Sequence, residues 1–248
     1  MPALLPALPD SEFRRVLCVV AHPDDVEYGT SSAVAVWTAR GVEVAYLVLT
    51  RGEAGMDASP PDRTREVRTR EQITGSAAVG VTDVRFLDHP DGVLEYGLTL
   101  RRDIARRIRE YRPDVVLTGS WELEFVAGLN MADHRVAGLA ALDAVRDAGN
   151  RWVFTELLDD GLDPWDVRWL LVSGDPRPTH GVALTAEALR AGVASLEAHA
   201  EYLAGLPGHP APNDMLPMIA RLQGRAMGAE HAVLFRAYDL QAPPPLLD

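Results

Sequence analysis

The sequence predicts an α/β fold, a doubly wound and mainly parallel sheet with helices on both faces. Three observations predict it. Short, continuous apolar runs recur along the chain, as expected of strands buried on both sides. Longer amphipathic stretches separate them, and glycines stand where several of those stretches stop. The chain has 248 residues; at about 150 residues per domain that is a soft prior which α/β domains often exceed. One domain over 1–248 is expected, with a core over about 14–175 and a helical elaboration over about 176–248.

Taken in order, 15–21 reads as the first strand, built on Val16-Leu17-Cys18-Val19-Val20. The segment 27–40 reads as a helix stopped by Gly41, and 42–50 as a β-branched second strand. After a polar loop through Pro61, Asp62 is placed to cap a helix running to about 79, with Gly80 as its stop. A third strand spans 84–87. The amphipathic helix 98–111 follows, with Ile104 and Ile108 four apart. A fourth strand is expected over 114–119 and a helix over 133–148, ended by Gly149. Four strand–helix units in series imply right-handed crossovers and parallel pairing. A fifth strand over 167–172, helices over 186–203 and 214–227, and a last strand over 232–237 complete the pattern. The proline-rich tail from 242 is expected to be loosely ordered.

Composition removes several function classes. The net charge is −12, and all 24 basic residues are arginine. An acidic surface disfavours nucleic acid and anionic membranes, which need clustered cations. Without lysine there is no phosphate-loop lysine and no Schiff-base amine. The single cysteine, Cys18, excludes an intrachain disulfide and lies in an apolar run, as a buried thiol does. The opening MPALLPALPD has no basic run and three prolines, unlike a signal peptide. No apolar stretch approaches the roughly 20 residues that span a bilayer. A cytoplasmic enzyme is expected, with homo-oligomerisation left open. No G-x-G-x-x-G follows the first strand and no G-x-S-x-G elbow occurs, which disfavours a dinucleotide dehydrogenase and a serine hydrolase.

Open sheets of this kind bind ligands beyond the carboxyl ends of their strands. After the first strand stands Ala21-His22-Pro23-Asp24-Asp25-Val26-Glu27, an imidazole and three carboxylates within a few residues. Carboxylates so close repel one another unless a cation or protons intervene. A divalent metal held by His22 and one neighbouring carboxylate is the economical solution. After the fourth strand stands Asn130-Met131-Ala132-Asp133-His134-Arg135, and His134 would supply a third ligand. Either motif alone would also suit a capped helix start. Their joint placement after two strands of one sheet favours a site with two histidines, one carboxylate and an open position. Ferrous iron accepts the same donors, so the spacing does not separate it from zinc.

These residues, with Leu49-Thr50-Arg51-Gly52-Glu53-Ala54-Gly55 after the second strand, resemble the LmbE-like (PIG-L) family of zinc-dependent N-deacetylases. The resemblance covers about 15–142. It implies a Rossmann-like fold and removal of an acetyl or related acyl group from an amino sugar or its glycoconjugate. It implies His22, Asp25 and His134 as ligands of Zn2+, or of Fe2+ or another divalent ion. It implies Asp24 as general base, and Arg68 and Asp91 as substrate-binding residues near the sugar. The pattern departs from the family at Met131, where the family commonly has a histidine. A thioether has no proton to give. His180 is the first candidate to replace it; otherwise Asp24 carries both proton transfers, or activity is impaired. Trp121 and Phe125 are candidates for the pocket rim or for core packing. The alternatives are an amidase acting on a larger amide conjugate and a catalytically impaired metal-binding homologue.

Overall fold

The computed structural model describes residues 3–126 and 128–242. The tail beyond 242 lies outside the described residues. In chain order the main elements are β1 (Arg15–Val20), α1 (Asp25–Gly29), α2 (Ser31–Ala39), β2 (Glu43–Val48), α3 (Pro61–Ala78), β3 (Asp83–Phe86), α4 (Leu98–Tyr111) and β4 (Val115–Gly119). There follow β5 (Glu124–Phe125), β6 (Gly128–Leu129), α5 (Ala132–Gly149), α6 (Glu156–Asp159), β7 (Trp169–Ser173), β8 (His180–Ala183), α7 (Ala186–Glu197), α8 (Ala200–Ala204), α9 (Pro212–Met227) and β9 (Ala232–Asp239).

Seven strands form one sheet in the order β3-β2-β1-β4-β7-β9-β8. The five from β3 to β7 are parallel, and β9 and β8 extend the sheet antiparallel. This is the expected doubly wound α/β architecture. Alternation along β1 shows why it forms: Val16, Cys18 and Val20 enter the core on one face, and Leu17, Val19 and Ala21 enter the core on the other. Residues of α2 and α7 cover the first face; α4 and α5 cover the second. The chain winds outward from β1 in one direction and from β4 in the other. The crevice beyond β1 and β4 is therefore the switch point where such sheets bind ligands. No helix among the described residues is long and apolar enough to cross a membrane.

Three expectations need correction. The helix over 27–40 is two helices, because Thr30 leaves helical geometry at φ −135° and starts the second. Asp62 is not a cap: α3 starts at Pro61 behind Pro60, so Asp62 lies in the first turn, where its charge suits the helix dipole. The helix over 186–203 breaks at Ala198 and His199 into α7 and α8. The edge strand β8 and the small β5–β6 hairpin were not expected at all; each is too short to carry a periodic signal.

The contact of α5 with the end of β4 fixes where His134 stands. A Cβ at Gly138, one turn beyond His134, would lie 2.5 Å from the Gly119 carbonyl oxygen and 3.2 Å from the Trp121 nitrogen. Helix propensity alone favours alanine over glycine by about 1 kcal/mol. Overpacking against backbone costs about 1–3 kcal/mol. Gly138→Ala is therefore expected to lower Tm. A thermal melt showing stabilisation would contradict this packing.

Candidate metal centre

The site grows from the turn after β1. Ala21 is the last buried residue of the strand's run, and His22 follows it into the crevice. Asp24 takes a left-handed conformation at φ +87°, and Asp25 opens α1. This turn lets His22, Asp24 and Asp25 project from consecutive positions toward the end of β4. The backbone N–H of His22 donates to Asp25 Oδ2 at 2.9 Å, which pins that carboxylate beneath the imidazole.

From the far side, α5 delivers His134 in its first turn. His134 Nε2 lies 3.1 Å from Asp25 Oδ1, and His22 Nδ1 lies 3.8 Å from the same oxygen. One ligand atom from each of His22, Asp25 and His134 falls within 4.8 Å of the others. The structure thus brings together three residues from two distant loops.

The other nitrogen of His22 faces a second pair of carboxylates. Nε2 lies 3.0 Å from Asp91 Oδ1 and 3.3 Å from Asp133 Oδ2. Donating its Nε2–H there leaves the Nδ1 lone pair of neutral His22 turned toward Asp25 and His134. Metal-binding histidines are commonly oriented by such an acceptor on the opposite nitrogen. Asp133 is itself held by the N–H groups of Gly92 at 2.8 Å and Leu94 at 3.1 Å. Asp91 accepts the N–H of Ala54 at 2.8 Å.

Electrostatics in the metal-free site follow from this crowding. Burial alone would lower the His22 pKa, but hydrogen bonds with Asp133, Asp25 and Asp91 push it up to about 12. Burial would raise the Asp25 carboxyl, yet His134 and His22 hold it well below the ordinary range. Asp91 and Asp133 are likewise lowered against burial, chiefly by His22. A positive charge is thus wanted at the centre of these carboxylates, and a proton on imidazole supplies it. A divalent cation could supply it equally, and two imidazoles with one carboxylate are the donor set of catalytic zinc sites with an open position. Ferrous iron suits the same donors.

Asp24 is buried beside this cluster. Burial raises its carboxyl above the ordinary range, and Arg68 opposes the rise only in part. Arg68, from α3, donates Nη2–H to Asp24 Oδ2 at 2.7 Å and also to the carbonyl of Pro23. It is only 3% exposed, and its guanidinium stacks 3.9 Å from the ring centre of Tyr202 on α8. Its observed contacts are thus with the Pro23–Asp24 turn and with Tyr202. Asp91 likewise meets His22 and Ala54. Met131 precedes α5 and is 58% exposed. His180 opens the edge strand β8, three strands from β4 and so about 14 Å away at ~4.8 Å per strand. Trp121 stacks on Tyr238 at the fringe of the core. Asp133 was missed by sequence reasoning although it adjoins His134. Tyr202 had no sequence signal at all.

Comparison with known proteins identifies the family. The PIG-L family, described as GlcNAc-PI de-N-acetylase, matches residues 17–145. Diacetylchitobiose deacetylase of Thermococcus kodakarensis is 33% identical over 162 residues, covering 64% of this chain and 60% of that protein. The 1D-myo-inositol 2-acetamido-2-deoxy-alpha-D-glucopyranoside deacetylase of Kineococcus radiotolerans is 34% identical over 195 residues, covering 62% of this chain and 50% of that protein. The chain thus spans about half to three-fifths of the length of these curated relatives. In fold it is similar to the N,N'-diacetylchitobiose deacetylase from Pyrococcus horikoshii, with a TM-score of 0.82 at 23% identity over 93% of this chain and 86% of that one. The matched segment holds His22, Asp24, Asp25 and His134, and with just over half of the sequence aligned the chain belongs to the PIG-L family.

Proposed function

We propose that the chain is a metal-dependent N-deacetylase that removes an acetyl group from an amino sugar or an amino-sugar conjugate. The observation that carries this reading is the His22–Asp25–His134 donor set with the buried carboxylate of Asp24 beside it. Zinc is the ion proposed. The relatives named as deacetylases support the substrate class, and the single buried cysteine is in keeping with a cytoplasmic setting.

His22, Asp25 and His134 would hold a divalent ion, which when bound would supply a water of lowered pKa, about 7 for zinc, and polarise the amide carbonyl. Asp24 takes the proton from the attacking water. Arg68 engages one oxygen of Asp24 and orients that carboxylate. Asp24 then hands the proton to the departing amine, since Met131 has none to give. Asp133 and Asp91 hold the His22 ring in place throughout. The test is amine release by zinc-loaded protein from N-acetylated sugars and bulkier amide conjugates. Release from N-acetyl sugars supports the proposal; release only from the bulkier amides points to an amidase. Bound metal with no amine release from any substrate supports the impaired reading that Met131 favours.

A pH consequence follows from His22. Its folded pKa lies above its unfolded value of about 6.5. The stability it contributes is therefore complete below about pH 6.5 and is lost as pH climbs toward 12. Metal-free protein is expected to show a Tm that falls between about pH 6.5 and 9.5. His22→Asn should flatten that fall, and bound zinc should flatten it too by replacing the proton. A metal-free Tm that rises over this range would overturn the charge assignment.

A further inference from the structure

Asp24 does its proposed work from a conformation that L-residues avoid. At φ +87° it is one of three described non-glycine residues with positive φ, and such strain persists only where the surroundings enforce it. The enforcing contact comes from α3. The backbone N–H of Asp24 donates to Gln72 Oε1 at 2.7 Å. The other end of the same carboxamide donates to Glu27 Oε1 at 2.9 Å and to Ser76 Oγ at 3.0 Å. Ser195 of α7 donates its hydroxyl to the Gly75 carbonyl at 2.7 Å, and its oxygen lies 3.3 Å from Glu27 Oε1. Gln72, Glu27, Ser76 and Ser195 are all buried, so no water competes for these groups.

The arrangement uses both faces of the amide. A carboxamide accepts on one side and donates on the other. A leucine at 72 would do neither. A glutamate would set a second carboxyl group against Glu27, and that repulsion would draw its oxygen away from the Asp24 N–H. Without Gln72 the Asp24 N–H would be left unpaired in a buried setting, and the strained turn would lose the hydrogen bond that holds it. Within the deacetylase reading, which this rests on, Arg68 holds the side chain of Asp24 and the carbonyl side of the Pro23–Asp24 peptide, and Gln72 holds the N–H side of that same peptide.

We propose that Gln72 and Glu27 are positioning residues: their buried relay locks Asp24 in its left-handed turn and so aims its carboxylate at the reacting centre. Gln72→Leu and Gln72→Glu are expected to lower kcat about 10- to 100-fold, as loss of a supporting partner does, with KM and bound zinc per chain unchanged. The exchange variant Glu27→Gln/Gln72→Glu reverses amide and acid, restores a donor–acceptor pair, and should recover kcat to near wild type. A structural readout runs beside the kinetics. Amide hydrogen exchange at Asp24 should be slow in wild type, faster by at least tenfold in both single variants, and slow again in the exchange variant.

Unchanged exchange at Asp24 in the single variants would overturn the relay. So would activity lost only in proportion to zinc, or protection that fails to return in a folded exchange variant. If wild type releases no amine from any substrate, the deacetylase reading fails, while Asp24 exchange still decides whether the relay holds the turn. If Gln72→Leu does not fold, Gln72→Glu and the exchange variant give the same decision.

Discussion

His134→Ala is expected to purify folded, hold far less zinc than wild type, and lose more activity than the roughly 10- to 100-fold that removal of a supporting partner costs. The substitution removes one of two imidazoles facing Asp25 and leaves a single histidine and one carboxylate. Two such donors fall below the three protein ligands of a typical catalytic site. His134 is the better target than His22 for a physical reason. Truncating His22 would also strip Asp91 and Asp133 of the group they face and would leave buried charges unpaired. His134 is partly exposed and sits in the first turn of α5, where alanine is a good helix former. Its loss should therefore report on metal rather than folding. Zinc content and kcat/KM measured on the same preparation check this, and wild-type zinc content in His134→Ala would rule the histidine out as a ligand.

Asp24→Asn is expected to behave in the opposite way, keeping the metal and losing turnover. Asparagine has the same shape, tolerates the left-handed region, and still offers Arg68 an acceptor. It cannot take a proton from water. A general acid–base group contributes about 10²–10⁴-fold, so kcat should fall by that order with KM little changed. Because Met131 provides no second proton carrier, the fall should lie toward the upper end of that range. Near-wild-type kcat for Asp24→Asn between pH 5 and 9 would refute the assignment of Asp24 as base.

The two halves of this site differ in how far the sequence reveals them. The sheet was legible because β1, β2 and β4 are continuous apolar runs, and burial on both faces leaves no ambiguity of period. His22, one of the carboxylates beside it and His134 were legible as candidates because each follows a central strand, and the strand order puts β1 beside β4; resemblance to the family singled out Asp25. What surrounds them was not. Gln72 lies four residues from Arg68 on α3, in a segment so polar that it reads as solvated; the resemblance marks Arg68 but not Gln72, and both are buried because α3 packs on α7 and α8. Asp133 looks like a helix-start acid, and only the fold shows its oxygens meeting Gly92, Leu94 and His22. Tyr202 reaches Arg68 from far along the chain, through a helix break at His199 that propensity does not mark. Local pattern carries the candidate ligands; tertiary packing carries most of the groups around them.

Crystals of zinc-loaded protein, with anomalous diffraction recorded on either side of the zinc edge, provide the most direct check. The expected map has one peak per chain about 2.0–2.2 Å from a nitrogen of His22, an oxygen of Asp25 and a nitrogen of His134, with Asp24 nearby and not bonded. A fully loaded crystal whose peak lies away from His134, or bonds through Asp91 and Asp133 instead, would contradict it.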